Sequence, residues 1–228
     1  MDQKPYIIAV DGPAGVGKST VCNDVAKALG ILHLDTGATY RTLALGLLRL
    51  GVEPTDAAAV EAALPQIHVD LKFEAGRQRM LLDGEDVTDS IRTNPVSAAS
   101  SACAVIPAVR HKMVELQREK AKSISMIVDG RDIGTCVFPD TQFKFYLTAD
   151  VAERAKRRYL ELQEKGTPVD LAQLEREIAF RDQTDSTREM SPLRQAEDAT
   201  LIDTTHMTQA EVAETMLEYI SKIMEERP

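Results

Sequence analysis

A glycine-rich stretch near the amino end constrains this chain most. Residues 12–20 read Gly-Pro-Ala-Gly-Val-Gly-Lys-Ser-Thr and match G-x-x-x-x-G-K-[ST], the pattern of a phosphate-binding loop. The apolar, β-branched run at 6–10 predicts a buried strand before it, and residues 20–29 carry apolar side chains at helical spacing up to Gly30. Strand, glycine loop and helix are the setting that the motif requires. A glycine-rich turn without a ligand is the alternative interpretation.

The residue types of this loop suit a polyphosphate. Glycines let several backbone N–H groups point into one concavity, and the helix that follows adds its unpaired donors and the positive end of its dipole. Lys18 brings a charge to the β- and γ-phosphates, and the Ser19 hydroxyl can coordinate Mg²⁺. The predicted donor contacts in the loop are Gly12, Pro13, Ala14, Gly15, Val16, Gly17, Lys18, Ser19 and Thr20.

Composition excludes several classes of partner. The net charge of −9 disfavours non-specific binding to nucleic acid or to anionic membranes. With 43% hydrophobic and 28% charged residues, the 228-residue chain can bury a core, as one domain with an elaboration or as two small domains. We expect no signal peptide and no spanning segment, and hence a cytoplasmic protein. The cysteines and histidines lack metal-ligand spacing, and the cysteines are expected to be reduced: Cys22, Cys103 and Cys136; His33, His68, His111 and His206.

The order of apolar runs predicts an α/β fold. Four further runs, at 31–35, 125–129, 143–147 and 199–203, read as buried strands. Helical patterns separate them, at 41–50, 57–64, 94–105, 107–122, 151–165, 170–187 and from Thr208 onward. Five strands separated by helices predict a parallel sheet with helices on both faces.

One segment departs from this order. Between Ile67 and Val87 the apolar residues alternate with polar ones, and Asp83-Gly84 is typical of a hairpin turn. The segment therefore predicts a small antiparallel meander inserted into the α/β chain as a separate lobe.

Charged residues follow the predicted strands at the edge where such sheets bind ligands. Asp129 ends an apolar strand and can hold Mg²⁺ directly or through water, although a turn or cap residue is the alternative. Arg131 with Asp132 reads as a phosphate clamp with its orienting acid, or as a plain ion pair. Arg41 opens the helix after the second strand, and its alternative is a solvated helix charge.

Two groups of side chains share a helical face by spacing. Arg181, Asp185 and Arg188 stand at i, i+4 and i+7 and suit a phosphorylated, hydrogen-bonding ligand, or else an exposed ladder of salt bridges. The second group reads as a mobile basic flap over a triphosphate, or as a solvated face; its members are Arg154, Arg157 and Arg158.

Taken together, the motifs resemble those of bacterial cytidylate kinases, in the nucleoside monophosphate kinase group, over essentially the whole chain. Five stretches carry the resemblance: DGPAGVGKS at 11–19, LDTGATYR at 34–41, IRT at 91–93, DGRDIGT at 129–135 and RDQTD at 181–185. Many ATPases share the first stretch, whereas the others in this order are more specific. The inserted meander resembles that of the long bacterial form.

The resemblance implies a single P-loop kinase domain that transfers the γ-phosphoryl group of ATP, with Mg²⁺, to CMP or dCMP. It also implies a core at about 1–62 and 106–228, a monophosphate-binding lobe at about 63–105 and a helical lid at about 154–188. ATP and CMP or dCMP would be its partners, without nucleic acid or membrane, and we expect a monomer.

Site residues follow from the same resemblance, motif by motif. The acceptor contacts would be Thr36, Arg41, Ser101, Arg110, Arg131, Asp132, Arg181, Asp185 and Arg188. Among them Arg41, Arg131 and Arg188 would clamp the acceptor phosphate. The base would be read by Ser101, Arg110 and Asp185, and the sugar by Arg181 with Asp185. The catalytic set would be Lys18, Arg131, Asp132 and Arg188, with Arg157 and Arg158 on ATP and with Ser19 and Asp129 on the metal.

Other function classes remain open at this point. A kinase for UMP, AMP or shikimate shares the same loop, and a P-loop switch or binding module is a different class. The sequence contains neither the N-K-x-D motif of guanine-reading switches nor the L-S-G-G-Q motif of transporter ATPases.

Overall fold

The computed structural model describes residues 5–164 and 166–225. The strands are β1 (Ile7–Asp11), β2 (Leu32–Asp35), β3 (Val69–Glu74), β4 (Arg77–Leu82), β5 (Glu85–Asp86), β6 (Met126–Gly130), β7 (Phe143–Thr148) and β8 (Thr200–Asp203). The α-helices are α1 (Lys18–Leu29), α2 (Thr36–Arg49), α3 (Ala57–Ala63), α4 (Asn94–Cys103), α5 (Pro107–Ala121), α6 (Val151–Glu164), α7 (Leu171–Thr187) and α8 (Gln209–Glu225). A 3₁₀ turn at Leu64–Gln66 and a π-helical turn at Ile133–Val137 complete the regular structure of these residues.

The main sheet has five strands in the order β2-β6-β1-β7-β8. β1 pairs in parallel with β7, with Val10 opposite Phe145, and β7 pairs in parallel with β8, with Leu147 opposite Ile202. The strands are short and apolar because helices cover a sheet of this type on both faces. The predicted α/β fold with a five-stranded parallel sheet is confirmed.

The predicted meander is also present. β3, β4 and β5 form an antiparallel sheet in which Leu71 pairs with Met80 and Leu82 pairs with Glu85. Asp83 and Gly84 both have positive φ, 51° and 87°, as the two-residue turn between β4 and β5 requires.

The described chain forms two compact units, one built on Leu32–Met126 and the other on Tyr6–Ile31 with the residues from Ile127 onward. The second unit has a continuous apolar core. β1 and β7 contribute Ile8, Val10 and Phe145 to it, and α1 and α8 cover them with side chains such as Val25 and Met216. This core fixes the start of α1 and the ends of β1, β6 and β7, from which the polar residues below project.

The unit built on Leu32–Met126 is organised around α2, which packs against α4, β3 and β4. The meander approaches α2 closely at Gly46. A Cβ atom there would lie 2.7 Å from Cγ2 of Ile67 and 3.2 Å from Cδ1 of Leu82, so only glycine permits this contact without a shift. The inserted sheet is therefore tightly packed on the helix that follows β2.

Element boundaries differ from the sequence prediction at several places, most clearly after β6. β6 extends through Gly130, one residue beyond the run predicted as a strand, and a π-helical turn at Ile133–Val137 follows where the apolar pattern predicted no helix. The last residue of the helix predicted for 151–165, Lys165, lies outside the described residues. Among the residues described, no helix is both long and apolar enough to cross a membrane.

Candidate functional site

The glycine loop lies between the end of β1 and the start of α1. Gly12 has φ 151°, and a Cβ atom on it would lie 2.2 Å from the carbonyl oxygen of Leu147 in β7, so no side chain fits there. Gly17 caps α1 in the left-handed region, with φ 91° and ψ 9°, and no side chain caps the first turn of the helix. The donors of that turn are thus left to a ligand, as the predicted phosphate-binding loop requires.

Lys18, the first residue of α1, turns its side chain back over the loop. Nζ donates hydrogen bonds to the carbonyl oxygens of Gly12 at 2.8 Å and Pro13 at 2.7 Å, and the residue is only 6% exposed. Burial, and next the Arg131 guanidinium, lower the pKa of Lys18 to about 7, although the Asp129 and Asp11 carboxylates oppose this shift. An anion placed beside Nζ would favour the charged form and raise the pKa again.

A hydroxyl and a carboxylate meet beside this lysine. Oγ of Ser19, on α1, donates a hydrogen bond of 3.0 Å to Oδ2 of Asp129, which is buried near the end of β6. The two residues are 110 positions apart and were predicted separately as magnesium ligands. Oxygen donors of this kind are those that Mg²⁺ prefers, so the pair fits the metal that the motif implies.

Asp11 is a site residue to which the sequence analysis assigned no role. Its carboxylate, at the end of β1, accepts hydrogen bonds from the backbone N–H groups of Ile133 at 2.7 Å and Gly134 at 2.8 Å. Burial raises the pKa of Asp11 to about 6, against the effect of those two hydrogen bonds. The only local signal was an acid that ends an apolar strand immediately before Gly12, and such an acid could equally be a helix cap.

Asp11 thereby positions the segment that carries the predicted clamp. Arg131 donates from Nε to Oδ2 of Asp185 on α7 at 2.7 Å. Burial acts to raise the pKa of the Asp185 carboxyl. The Arg131 guanidinium, with Arg181 and Arg188, outweighs burial and holds this pKa below its ordinary value. Asp185 is therefore an anion held against Arg131 across neutral pH.

Arg188 and Asp132 form a second buried pair of opposite charge. Arg188 Nη2 lies 3.6 Å from Asp132 Oδ1, with 8% and 7% of the two side chains exposed, and Nε donates to the carbonyl oxygen of Ser191 at 2.6 Å. α7 ends at Thr187, so Arg188 follows the helix with extended backbone and does not continue the helical face of Arg181 and Asp185. The prediction of three residues on one helical face was wrong for Arg188.

The three arginines predicted as a basic flap lie in two different environments. Arg154 is buried: its guanidinium donates to the carbonyl oxygens of Ala149 and Ala14, each at 2.9 Å, and to Oδ2 of Asp182 on α7. It is therefore not part of a solvated basic face. The Arg154 guanidinium thus links the glycine loop, through Ala14, to α7, through Asp182.

The other two arginines of α6 lie nearer the surface. Arg157 donates to the carbonyl oxygens of Thr204 at 2.7 Å and Thr205 at 3.2 Å, while Arg158 donates to Glu161 at 2.8 Å. Both keep part of their surface exposed. Their role on ATP stays a prediction.

The remaining predicted acceptor residues lie in the unit built on Leu32–Met126. Thr36 opens α2 and is buried, and Arg41, one turn later, donates to Oδ2 of Asp35 at 2.7 Å. Ser101 donates to the carbonyl oxygen of Ser97 within α4, at 3.2 Å. Arg110 on α5 is 3% exposed and lies over the ring of Tyr40, 5.9 Å from its centroid.

The arrangement around the glycine loop suits chemistry on phosphate groups. Backbone donors, an ammonium group, a hydroxyl–carboxylate pair and two arginine–carboxylate pairs belong to one compact unit. Preorganised charges of this kind stabilise the oxygens of a migrating phosphoryl group.

Comparisons with known proteins agree with this geometry. The sequence model of the family described as "Cytidylate kinase" matches residues 8–222. A cytidylate kinase of Caldicellulosiruptor saccharolyticus is 48% identical over 97% of this chain and 98% of its own length, and one of Halalkalibacterium halodurans is 45% identical over 96% and 99%. A gluconokinase structure from Sinorhizobium meliloti 1021 has a TM-score of 0.49 at 14% identity, covering 98% of this chain and 95% of that one, and adds nothing to the assignment.

Proposed function

This chain belongs to the cytidylate kinase family, and on that premise we propose that it transfers the γ-phosphoryl group of ATP to CMP or dCMP. The products are ADP and CDP or dCDP. The observation that carries the proposal is the Ser19–Asp129 contact beside Lys18, because a hydroxyl, a carboxylate and an ammonium group at one loop are what a metal–triphosphate complex needs.

The donor nucleotide is assigned to the glycine loop. Its triphosphate would be bound by the backbone N–H groups of the loop and by Lys18, which exchanges the carbonyl oxygens of Gly12 and Pro13 for phosphate oxygens. Ser19 and Asp129 would hold Mg²⁺, which supplies further positive charge to the phosphates when bound. Arg157 and Arg158 on α6 are assigned to the same nucleotide.

The contacts proposed for the acceptor nucleotide are given for each unit by itself. In the unit built on Leu32–Met126 the assigned contacts are Thr36, Arg41, Ser101 and Arg110. In the unit that carries the glycine loop they are Arg131, Asp132, Arg181, Asp185 and Arg188. Arginines held by carboxylates, as in the pairs Arg131–Asp185 and Arg188–Asp132, are oriented in advance for a phosphate group.

Phosphoryl transfer then requires positioning rather than a covalent intermediate. An oxygen of the acceptor phosphate attacks the γ-phosphorus in line with the leaving oxygen of ADP. Lys18, Arg131 and Arg188 stabilise charge on the equatorial oxygens, and Asp132 keeps Arg188 in place. Exclusion of water by α6 and α7, assigned as the lid, prevents hydrolysis of ATP.

An assay of ADP release with a panel of acceptors tests the proposal. CMP, dCMP, UMP, AMP and shikimate are each supplied with ATP and Mg²⁺, and the Lys18→Ala variant serves as the control. We expect release with CMP and dCMP well above that with the other three, and loss of it in the variant. Release that does not depend on the acceptor would indicate a switch or a simple ATPase, and preference for another acceptor would replace CMP by that compound.

We also propose that the protein acts as a monomer in the cytoplasm on these small molecules. Three scattered cysteines without a C-x-x-C pair are typical of a reducing compartment, and the charge of −9 keeps copies apart. Light scattering at low and high protein concentration would detect a dimer.

A further inference from the structure

A side chain of the inserted meander is hydrogen-bonded to the end of β2. Gln78 of β4 makes a reciprocal pair with the backbone of Asp35: the Asp35 N–H donates to Oε1 at 2.8 Å, and Nε2 donates to the Asp35 carbonyl oxygen at 3.2 Å. The amide of Gln78 thus satisfies both backbone groups of this residue, as a neighbouring strand would.

Asp35 is the junction between β2 and α2. It is the last residue of the strand and the N-cap of the helix, with no residue between the two elements. Its Oδ1 accepts from the N–H of Ala38 at 3.0 Å, and its Oδ2 accepts from Nη2 of Arg41 at 2.7 Å. One carboxylate therefore fixes the first turn of α2 and the side chain of Arg41 together.

The side chains of Asp35 and Arg41 are packed closely against the backbone at this junction. A Cβ atom on Gly37 would lie 3.0 Å from Nη1 of Arg41 and 3.1 Å from Oδ1 of Asp35. About a fifth of the Arg41 side chain is exposed, so it can reach a ligand while it stays on Asp35. A small displacement of the Asp35 backbone would therefore move the guanidinium of Arg41.

Gln78 is itself held in place by the meander. It pairs with Phe73 in the β3–β4 ladder, and its Nε2 also lies 2.9 Å from Sδ of Met80. The N–H of Met80 in turn donates to Oγ1 of Thr88 at 2.9 Å. The strand ladder and the contact with Met80 thus hold the amide group of Gln78 against Asp35.

We propose that Gln78 is a positioning residue for the acceptor phosphate: it fixes Asp35, and Asp35 fixes Arg41. This assignment rests on the proposed function, in which Arg41 contacts the phosphate of CMP. It also gives the inserted sheet a task, which is to hold the acceptor-binding end of α2 in register.

The test removes the two hydrogen bonds but keeps the volume, in the variant Gln78→Met. Gln66→Met is the matched control, since Gln66 is exposed in the same unit and outside the site. We expect the KM for CMP to rise about tenfold in Gln78→Met, the scale expected for losing one or two hydrogen bonds. In Gln78→Met the KM for ATP should stay within twofold of wild type, and the thermal midpoint within a few degrees. The kinetics of the control Gln66→Met should stay within twofold of wild type.

A double variant separates positioning from simple loosening. In the Arg41→Ala background, Gln78→Met should add no further increase in the KM for CMP, because its effect passes through Arg41. Full additivity of the two changes, or equal increases in the KM values for CMP and ATP, would overturn the proposal.

Hydrogen exchange gives a readout that needs no activity. The Ala38 amide, which is capped by Asp35 and not by Gln78, should exchange about tenfold faster in Gln78→Met and at the wild-type rate in Gln66→Met. An unchanged rate at Ala38 would refute the positioning role even in an active enzyme. Faster exchange in a protein that does not phosphorylate CMP would instead refute the proposed function and leave the positioning of Arg41 standing.

Discussion

The side chain of Lys18 is both buried in the protein and directed at the proposed position of the phosphates. Its ammonium group is buried against the carbonyl oxygens of Gly12 and Pro13, and burial brings its pKa down to about 7. A triphosphate offers stronger partners than neutral carbonyls do, because charge-assisted hydrogen bonds are about twice as strong. The group is therefore aimed at the position of the ligand by the backbone that the ligand also contacts.

Replacing Lys18 by alanine should abolish most of the activity without harming the fold. We expect kcat to fall by at least ~100-fold, the scale of losing one charge contact in the transition state. The thermal midpoint should not fall, since the ammonium group is buried at a cost and contacts only loop carbonyls. Steady-state kinetics and thermal unfolding check both statements; normal turnover in a folded variant would contradict them.

Asp11 makes stability depend on pH in a direction that is unusual for an acid. Its pKa is raised from 3.8 to about 6 by burial, so the folded state binds a proton more tightly than the unfolded state does. Its contribution to stability is therefore fully present below about pH 4 and is lost as the pH rises through 6. A shift of this size corresponds to about 3 kcal/mol.

The variant Asp11→Asn isolates this effect. Asn keeps one acceptor for the N–H groups of Ile133 and Gly134 but does not titrate. Relative to the variant, the wild type should gain about 2 kcal/mol in free energy of unfolding between pH 7 and pH 4.5, and the rest of the effect only below about pH 4. Urea unfolding of both proteins at the two pH values measures it. A difference that does not change with pH would show that Asp11 titrates near its ordinary value in the folded protein.

At the scale of elements, sequence periodicity predicted nearly every strand and helix because most of them bury an apolar face. It could not predict the π-helical turn at Ile133–Val137, which depends on hydrogen bonds to Asp11 from 122 and 123 positions away. Nor could spacing show that Arg154 is buried, since its partners Ala14 and Asp182 come from distant elements. The candidate site residues were predicted from motifs, and their contacts with distant residues came only from the fold.

The packing of the meander on α2 depends on Gly46. Gly46→Ala should lower the free energy of unfolding by about 1–2 kcal/mol, because the overlap with Cγ2 of Ile67 outweighs the gain in helix propensity. The cost should be smaller in an Ile67→Ala background, where the overlapping atom is gone. Chemical unfolding of the four proteins of this cycle checks the coupling, and equal costs in both backgrounds would place the strain elsewhere.

At the scale of the whole molecule, an acidic chain is proposed to bring together two anionic nucleotides. The net charge is −9, yet Lys18, Arg131 and Arg188 are buried or half-buried within one unit. Local cations in a site of low dielectric constant outweigh a diffuse surface charge that salt screens. The negative net charge therefore disfavours extended polyanions such as nucleic acids as partners. It has less effect on small anions such as nucleotides.

Ligand binding should stabilise the folded molecule in a metal-dependent way. ATP with Mg²⁺ at a hundred times its Kd should add about 2.7 kcal/mol and raise the thermal midpoint by several degrees. In Asp129→Asn, or in wild type with excess EDTA, only the increase given by ATP alone should remain. Thermal unfolding in these three conditions, each compared with the same protein without ATP, measures this, and an undiminished rise in Asp129→Asn would exclude Asp129 as a metal ligand.

The guanidinium of Arg154 contacts the carbonyl oxygen of Ala14 with one nitrogen and the carboxylate of Asp182 with another. Evolution or engineering cannot adjust the two ends of that contact independently. Under the proposal that α6 and α7 form a lid, variants selected for faster opening of α7 should also bind nucleotide more weakly, and random libraries should show the two traits inherited together.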